Sequence, residues 1–330
     1  MTGRDDTLPR LVSGMAGAAL AGGLYAQARR RRRVAAGTGS ESFVEARSGN
    51  LLAYDLRRAP EPVDPADPVV LLLPDIGGTA HHWTVVRRML ARHHSVLSFD
   101  RAGYGRSRFR TTAPFSLDAA VADLVDLLEQ VCPGRPVVPL GHRLGGTLAL
   151  RLLDRPAVRT AGLVLLDPRY PGELASSRLL ASLASQHGFS LAYMAPSARF
   201  GFSSLLLDPE WSTELPADVR RLCLDQFRDV STWQASRREW QAAHTELSRP
   251  DALPTTDVPL CLITSYSGSA EGIGYAALHD DLLERAGRGV RVALEHLSNA
   301  AMPHARDAAE RVCGTVTRFV ASARKGDVPS

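Results

Sequence analysis

Six short runs of almost unbroken apolar residues recur along this chain, and helical stretches separate them. VVLLL (Val69–Leu73), SVLSF (Ser95–Phe99), VVPL (137–140), GLVLL (162–166), LCLIT (Leu260–Thr264) and VRVAL (290–294) each have the length of a strand. A strand that is apolar on both sides is buried on both sides, and that is the signature of a parallel sheet covered on both faces. Parallel strands need long crossovers, which are usually helices. The intervening segments fit that role. Residues 84–92, 144–154 and 305–321 read as helices. Residues 117–131 put apolar side chains at 117, 121, 124, 125 and 128 on one helical face, with Ser116 as the N-cap. The predicted class is α/β with a mostly parallel sheet and helices on both faces.

Between Pro171 and Pro250 no strand pattern occurs, and residues 178–187, 217–230 and 232–247 read as helices. This interval is expected to be a helical cap over the carboxyl ends of the strands, where such sheets bind ligands. Residues 43–44 and 51–56 flank Ser48-Gly49-Asn50 and read as an opening hairpin. The expected organisation is an N-terminal segment over 1–40, a first core part over 41–170, the cap over 171–250 and a second core part over 251–330.

Residues 11–28, LVSGMAGAALAGGLYAQA, carry no charge, and five arginines follow at Arg29 to Arg33. As a helix the segment would be about 27 Å long, slightly short of a hydrocarbon core of about 30 Å. A single-pass anchor is the first reading. A cleaved signal peptide, with Ala26-Gln27-Ala28 as its cleavage motif, and a surface-lying helix are the others. Dense positive charge resists translocation, so the main domain is expected on the cytoplasmic side. The formal net charge is +4. The arginine run supplies five positive charges, so the rest of the chain is near neutral. This points to a membrane surface met through residues 11–33, or to a run that serves only as a topology signal, rather than to a nucleic-acid partner. Residues 34–40 (VAAGTGS) read as a flexible linker. The four cysteines are widely spaced and read as buried thiols.

From about residue 43 to 320 the chain resembles a capped α/β hydrolase of the lipase, esterase and thioesterase type. VVLLLPDIGGTAHHW stands where that family carries its oxyanion loop. FDRAGYGRS matches its D-x-R-G-x-G-x-S loop. GHRLGG follows a strand and opens a helix, as the family's nucleophile elbow does. GLVLLDP, VPLCLIT and AAMPHARDAAERV complete the order.

The resemblance implies a nucleophile, a histidine, an acid and backbone donors for an oxyanion. The nucleophile position holds Arg143, whose guanidinium has no lone pair to attack with. The histidine position aligns with Ala301, and His304, three residues on, is a possible substitute. The usual acid position falls at Gly268, and Asp167 matches an alternative acid position. The oxyanion block reads Pro74-Asp75, with the Ile76 and Leu144 N–H groups as remaining donors. Arg143 is expected to pair with Asp75 or Asp167 and plug the site, or to bind a carboxylate or phosphate. Ligand contacts are therefore expected at Asp75, Ile76, Arg143, Leu144 and Asp167. Arg101 and Ser107 are expected to fix the loop after Ser95–Phe99.

His81-His82 and His93-His94 match no zinc spacing and read as exposed helix-end residues, and His142 as a packing residue. No metal or cofactor is expected. The functional expectation is a non-hydrolytic, membrane-associated relative of the hydrolases. The alternative is an enzyme of the same fold, a hydrolase, lyase or cyclase, acting on a small acyl or anionic substrate without a serine.

Overall fold

The computed structural model describes residues 7–60, 64–249, 255–265, 270–294 and 304–325. Eight strands form one sheet: β1 (Ser42–Glu45), β2 (Leu51–Arg57), β3 (Val69–Leu73), β4 (Ser95–Phe99), β5 (Val137–His142), β6 (Leu163–Leu166), β7 (Leu260–Thr264) and β8 (Gly289–Ala293). The spatial order is β1-β2-β4-β3-β5-β6-β7-β8. The β1–β2 hairpin and its join to β4 are antiparallel, and every other neighbour is parallel.

Five of the six apolar runs are buried on both sides as anticipated, whereas β8, at the edge of the sheet, is only partly buried. Alternate side chains of one strand enter opposite cores. Leu71 and Leu73 join Leu97, Leu163 and Leu165 on one face, under α3 (Leu117–Val131) and α4 (Leu144–Leu152). Val70 and Leu72 join Val96, Val138 and Val164 on the other, under α2 (Thr84–Leu90) and α10 (Arg306–Lys325). Ser116 caps α3, its Oγ accepting from the Ala119 N–H at 3.0 Å. All four cysteines are buried thiols.

The cap interval is helical: α5 (Glu173–Ser176), α6 (Arg178–Arg199), α7 (Ala217–Phe227) and α8 (Val230–Leu247). The α6 helix continues past the expected end at 187 and through Pro196. An unanticipated helix, α9 (Ala270–Arg285), links β7 to β8.

The N-terminal segment corrects two expectations. Residues 34–40 are not simply a linker, because α1 (Thr7–Ala36) runs through Val34, which is buried. And among the described residues no helix is long and apolar enough to cross a membrane. Glycine and alanine dominate the uncharged stretch and contribute little apolar area. The second half of α1 also turns polar side chains onto the cap. Gln27 Nε2 donates to Asp229 at 3.1 Å, and Arg33 Nη2 to Asp225 at 2.6 Å. Part of the arginine run is thus spent on the protein itself.

Candidate functional site

The elbow begins where β5 ends. Arg143 has φ 48° and ψ −113°, left-handed for a residue with a side chain, and occupies the residue position just before α4 without capping it through its side chain. Such backbone costs roughly 1–3 kcal/mol and persists only where the surroundings enforce it. Here the glycines on either side do so. A Cβ at Gly145 would lie 2.0 Å from the Leu73 carbonyl oxygen, and one at Gly141 would lie 2.5 Å from the Gly145 carbonyl oxygen. Strand, turn and helix approach too closely for any side chain but hydrogen.

The loop after β3 reaches the same point. Asp75 Oδ2 lies 3.2 Å from Arg143 Nε, and Asp75 Oδ1 accepts the Leu144 N–H at 3.2 Å. The side chains of Arg143 and Asp75 keep 19% and 28% of their exposure, so the pair is sheltered but not sealed. One carboxylate therefore spans the elbow cation and the backbone donor that follows it. Burial opposes the charge on Asp75. Arg143, then His142 and Arg169, outweigh it and hold the carboxyl below its usual range.

Asp167 stands at the end of β6, also with positive φ, 41°. Its carboxylate is buried and accepts from the Ser265 N–H at 2.9 Å and from the Ser265 hydroxyl. Asp167 thus ties the end of β6 to the residue that follows β7.

His304 is buried beside His82 and the cap residue Trp211. Its Nδ1 donates to the His82 carbonyl at 2.9 Å. In a triad that nitrogen would hold the acid. Burial first, then the nearby His82 and His142, push the His304 pKa well below the usual histidine range. His81 and His82 are buried, not exposed at a helix end, which corrects the sequence expectation. Both sit in a 3-10 turn (Ala80–Trp83), and burial pulls His82 down to about 4. His142 packs edge-on against Trp83. The Gly268 and Ala301 positions lie outside the described residues.

Residues beyond the elbow support this site, and the sequence left Tyr104, Arg169 and Glu239 unremarked. Arg101 does more than fix its own loop. Its Nη1 and Nη2 donate to the Pro74 and Asp75 carbonyls at 2.6 and 2.8 Å, and its Nε pairs with Glu239 of α8 at 2.6 Å. Tyr104 Oη donates to Glu239 at 2.7 Å and accepts the Gly77 N–H at 3.3 Å. The side chains of Arg101 and Glu239 keep only 4% and 1% of their exposure. This network ties the oxyanion loop to the cap. A signal existed: Glu239 interrupts a helical stripe whose other members, Thr232, Ala235, Ser236, Ala243 and Leu247, are buried. Ser107 meets its expectation, its Oγ donating to the Asp100 carbonyl at 2.6 Å. Arg169 pairs with buried Glu173 at 2.8 Å and lies over the Trp240 ring.

The sequence matches the alpha/beta hydrolase family over residues 70–314. The chain belongs to that family. Among individual relatives, a lipase of Mycobacterium tuberculosis, LipV, is 37% identical over 97 residues, 28% of this chain and 35% of that protein. An AB hydrolase superfamily protein of Gibberella zeae is 29% identical over 113 residues, 33% of this chain and 35% of that protein. The matched region spans under half the length of the curated relatives. The enol-lactonase of Burkholderia xenovorans has a structure that superposes with a TM-score of 0.58 at 20% identity, over 85% of this chain and 100% of its own. A metagenomic epoxide hydrolase from a hot environment gives 0.63 at 15%, over 85% and 98%. These likenesses establish the shared fold.

Proposed function

We propose that this member of the α/β-hydrolase family is not a serine hydrolase and that its elbow has been rebuilt as an internal ion pair. The observation that carries this reading is the Asp75 carboxylate on both Arg143 Nε and the Leu144 N–H. Acyl transfer needs that backbone donor for the developing oxyanion. A carboxylate already on it repels a second negative charge. The position that should attack carries a cation, and His304 spends its Nδ1 on a backbone carbonyl. A relative named as a lipase supports hydrolysis by analogy only, since fold does not decide chemistry. Purified protein should turn over p-nitrophenyl acetate and butyrate no faster than buffer. Stoichiometric labelling by a fluorophosphonate probe would overturn the proposal.

One observation favours a second reading, the binding of a small anionic or acyl ligand. Arg143 and Arg169 both lower the Asp75 pKa, so two guanidinium groups act on one carboxylate. The Trp240 ring packs against His187 of α6 and lies beneath Arg169, which gives this cluster a cap-side wall. A ligand carboxylate would have to displace Asp75. On this reading the unaltered protein should show a thermal shift with acetate or butyrate, and Asp75→Ala, which removes the competing carboxylate, a larger one.

A further inference from the structure

The side chains of α1 described ahead of Gly23 are exposed, beside a cap surface that is both aromatic and cationic. At about 1.5 Å per residue the 30-residue helix is about 45 Å long. Its docked part begins near Gly23, where an added Cβ would lie 3.0 Å from the Phe200 carbonyl oxygen. A Cβ at Gly17 or Gly22 would meet nothing within 4 Å, and Met15, Leu24 and Tyr25 are exposed. The cap adds exposed rings at the same place. Phe189 (65% exposed) and Tyr193 (62%) are four residues apart on α6, and Phe200 falls on the same face beyond its end. Exposed Phe202 and Leu207 follow.

Two adjoining grooves, of about 510 and 440 Å³, continue this surface and share Gln234 and Arg238. Arg31, Arg32, Arg108, Arg199, Arg237 and Arg238 line them. The single acid in the lining, Asp229, is engaged by Gln27, Ser231 and Arg31. Arg238 stacks over Phe109 with its Cζ 4.3 Å from the ring centroid.

We propose that the exposed face of α1 around Met15, Leu24 and Tyr25, the aromatic end of α6 and the two arginine-lined grooves form one docking face for an anionic lipid bilayer. Lipid phosphates would sit among the arginines, and the Phe, Tyr and Leu side chains would enter the headgroup and acyl boundary. The face joins what such an interface requires: exposed apolar and aromatic groups, and a rim of six arginines against one acid. A soluble anion would use the arginines and leave the rings in water. A second copy docked on the same face would set six arginines against six, since a two-fold contact pairs a patch with itself.

The test is flotation of the full chain with phosphatidylcholine vesicles, with and without phosphatidylglycerol, over a range of salt. The protein should float with the anionic vesicles and be released by salt. Arg199→Gln combined with Arg237→Gln should weaken partitioning about thirtyfold, each charge near the surface being worth about a factor of five. Phe189→Ser with Tyr193→Ser should weaken it on either vesicle. All four side chains are exposed, so both variants should melt like the parent. A parent that stays in solution with anionic vesicles would overturn the proposal. So would arginine variants that partition like the parent, or a lipid-independent dimer lost in the aromatic variant.

Discussion

Two neighbouring strand ends, those of β5 and β6, keep the same unusual backbone and put it to different uses. Arg143 and Asp167 are the described non-glycine residues with positive φ, at 48° and 41°. At the end of β6 the side chain is the one a relative's chemistry could use, a carboxylate, but Ser265 satisfies it. At the end of β5 the side chain has the wrong charge for attack, and the loop after β3 supplies the compensating carboxylate. The backbone constraints come from close packing around glycine and survive a change of side chain. The reactive groups are not so constrained, and on the proposed reading they have been exchanged for groups that satisfy one another.

The comparison breaks most severely where the oxyanion loop is supported. Glu239→Ala would leave buried Arg101 without its carboxylate and free the loop from the cap. The expected loss is about 3–5 kcal/mol by chemical denaturation, the range for breaking a buried ion pair. Asp75→Ala should cost less, about 2 kcal/mol, because its pair with Arg143 is partly exposed. The acid limb of stability sharpens the point. Burial raises the Asp75 pKa, but Arg143, His142 and Arg169 more than offset it, so the folded value is depressed. Such a group stabilises the fold above its unfolded pKa of about 4, and that stability is lost as pH falls through the folded value. Denaturation of Asp75→Asn should therefore show a flatter decline below about pH 4 than the parent. The smallest effect lies at β6. Ser265→Ala removes one donor from Asp167 and keeps the other, the backbone N–H, so about 1–2 kcal/mol is expected.

The frame of the molecule was readable because burial on both faces writes itself into sequence. VVLLL and LCLIT hold strands with the expected bounds, and Ser116 starts its helix through a contact three residues away. The elbow was readable for a related reason, since Gly141 and Gly145 sit where no Cβ fits. What escaped depended on distant partners. Arg101 meets Glu239 at a separation of 138 residues, and the buried His82 depends on Trp211 and His304 from two other segments. The reach of α1 past Arg33 was hidden because its stop signal, Gly37 with φ 60°, lies inside what reads as a linker. The anchor reading took absence of charge for apolarity, although glycine and alanine are only weakly apolar.

The most direct test places a serine in the elbow without altering the rest. Arg143→Ser restores the residue type that attacks. It leaves Asp75 on the Leu144 N–H and His304 on the His82 carbonyl. Its rate of p-nitrophenyl butyrate hydrolysis, measured beside the parent protein, should stay at the buffer rate. Burst kinetics or a clear gain in turnover from that one substitution would contradict the account, because it would mean that a working oxyanion site and base had been present all along.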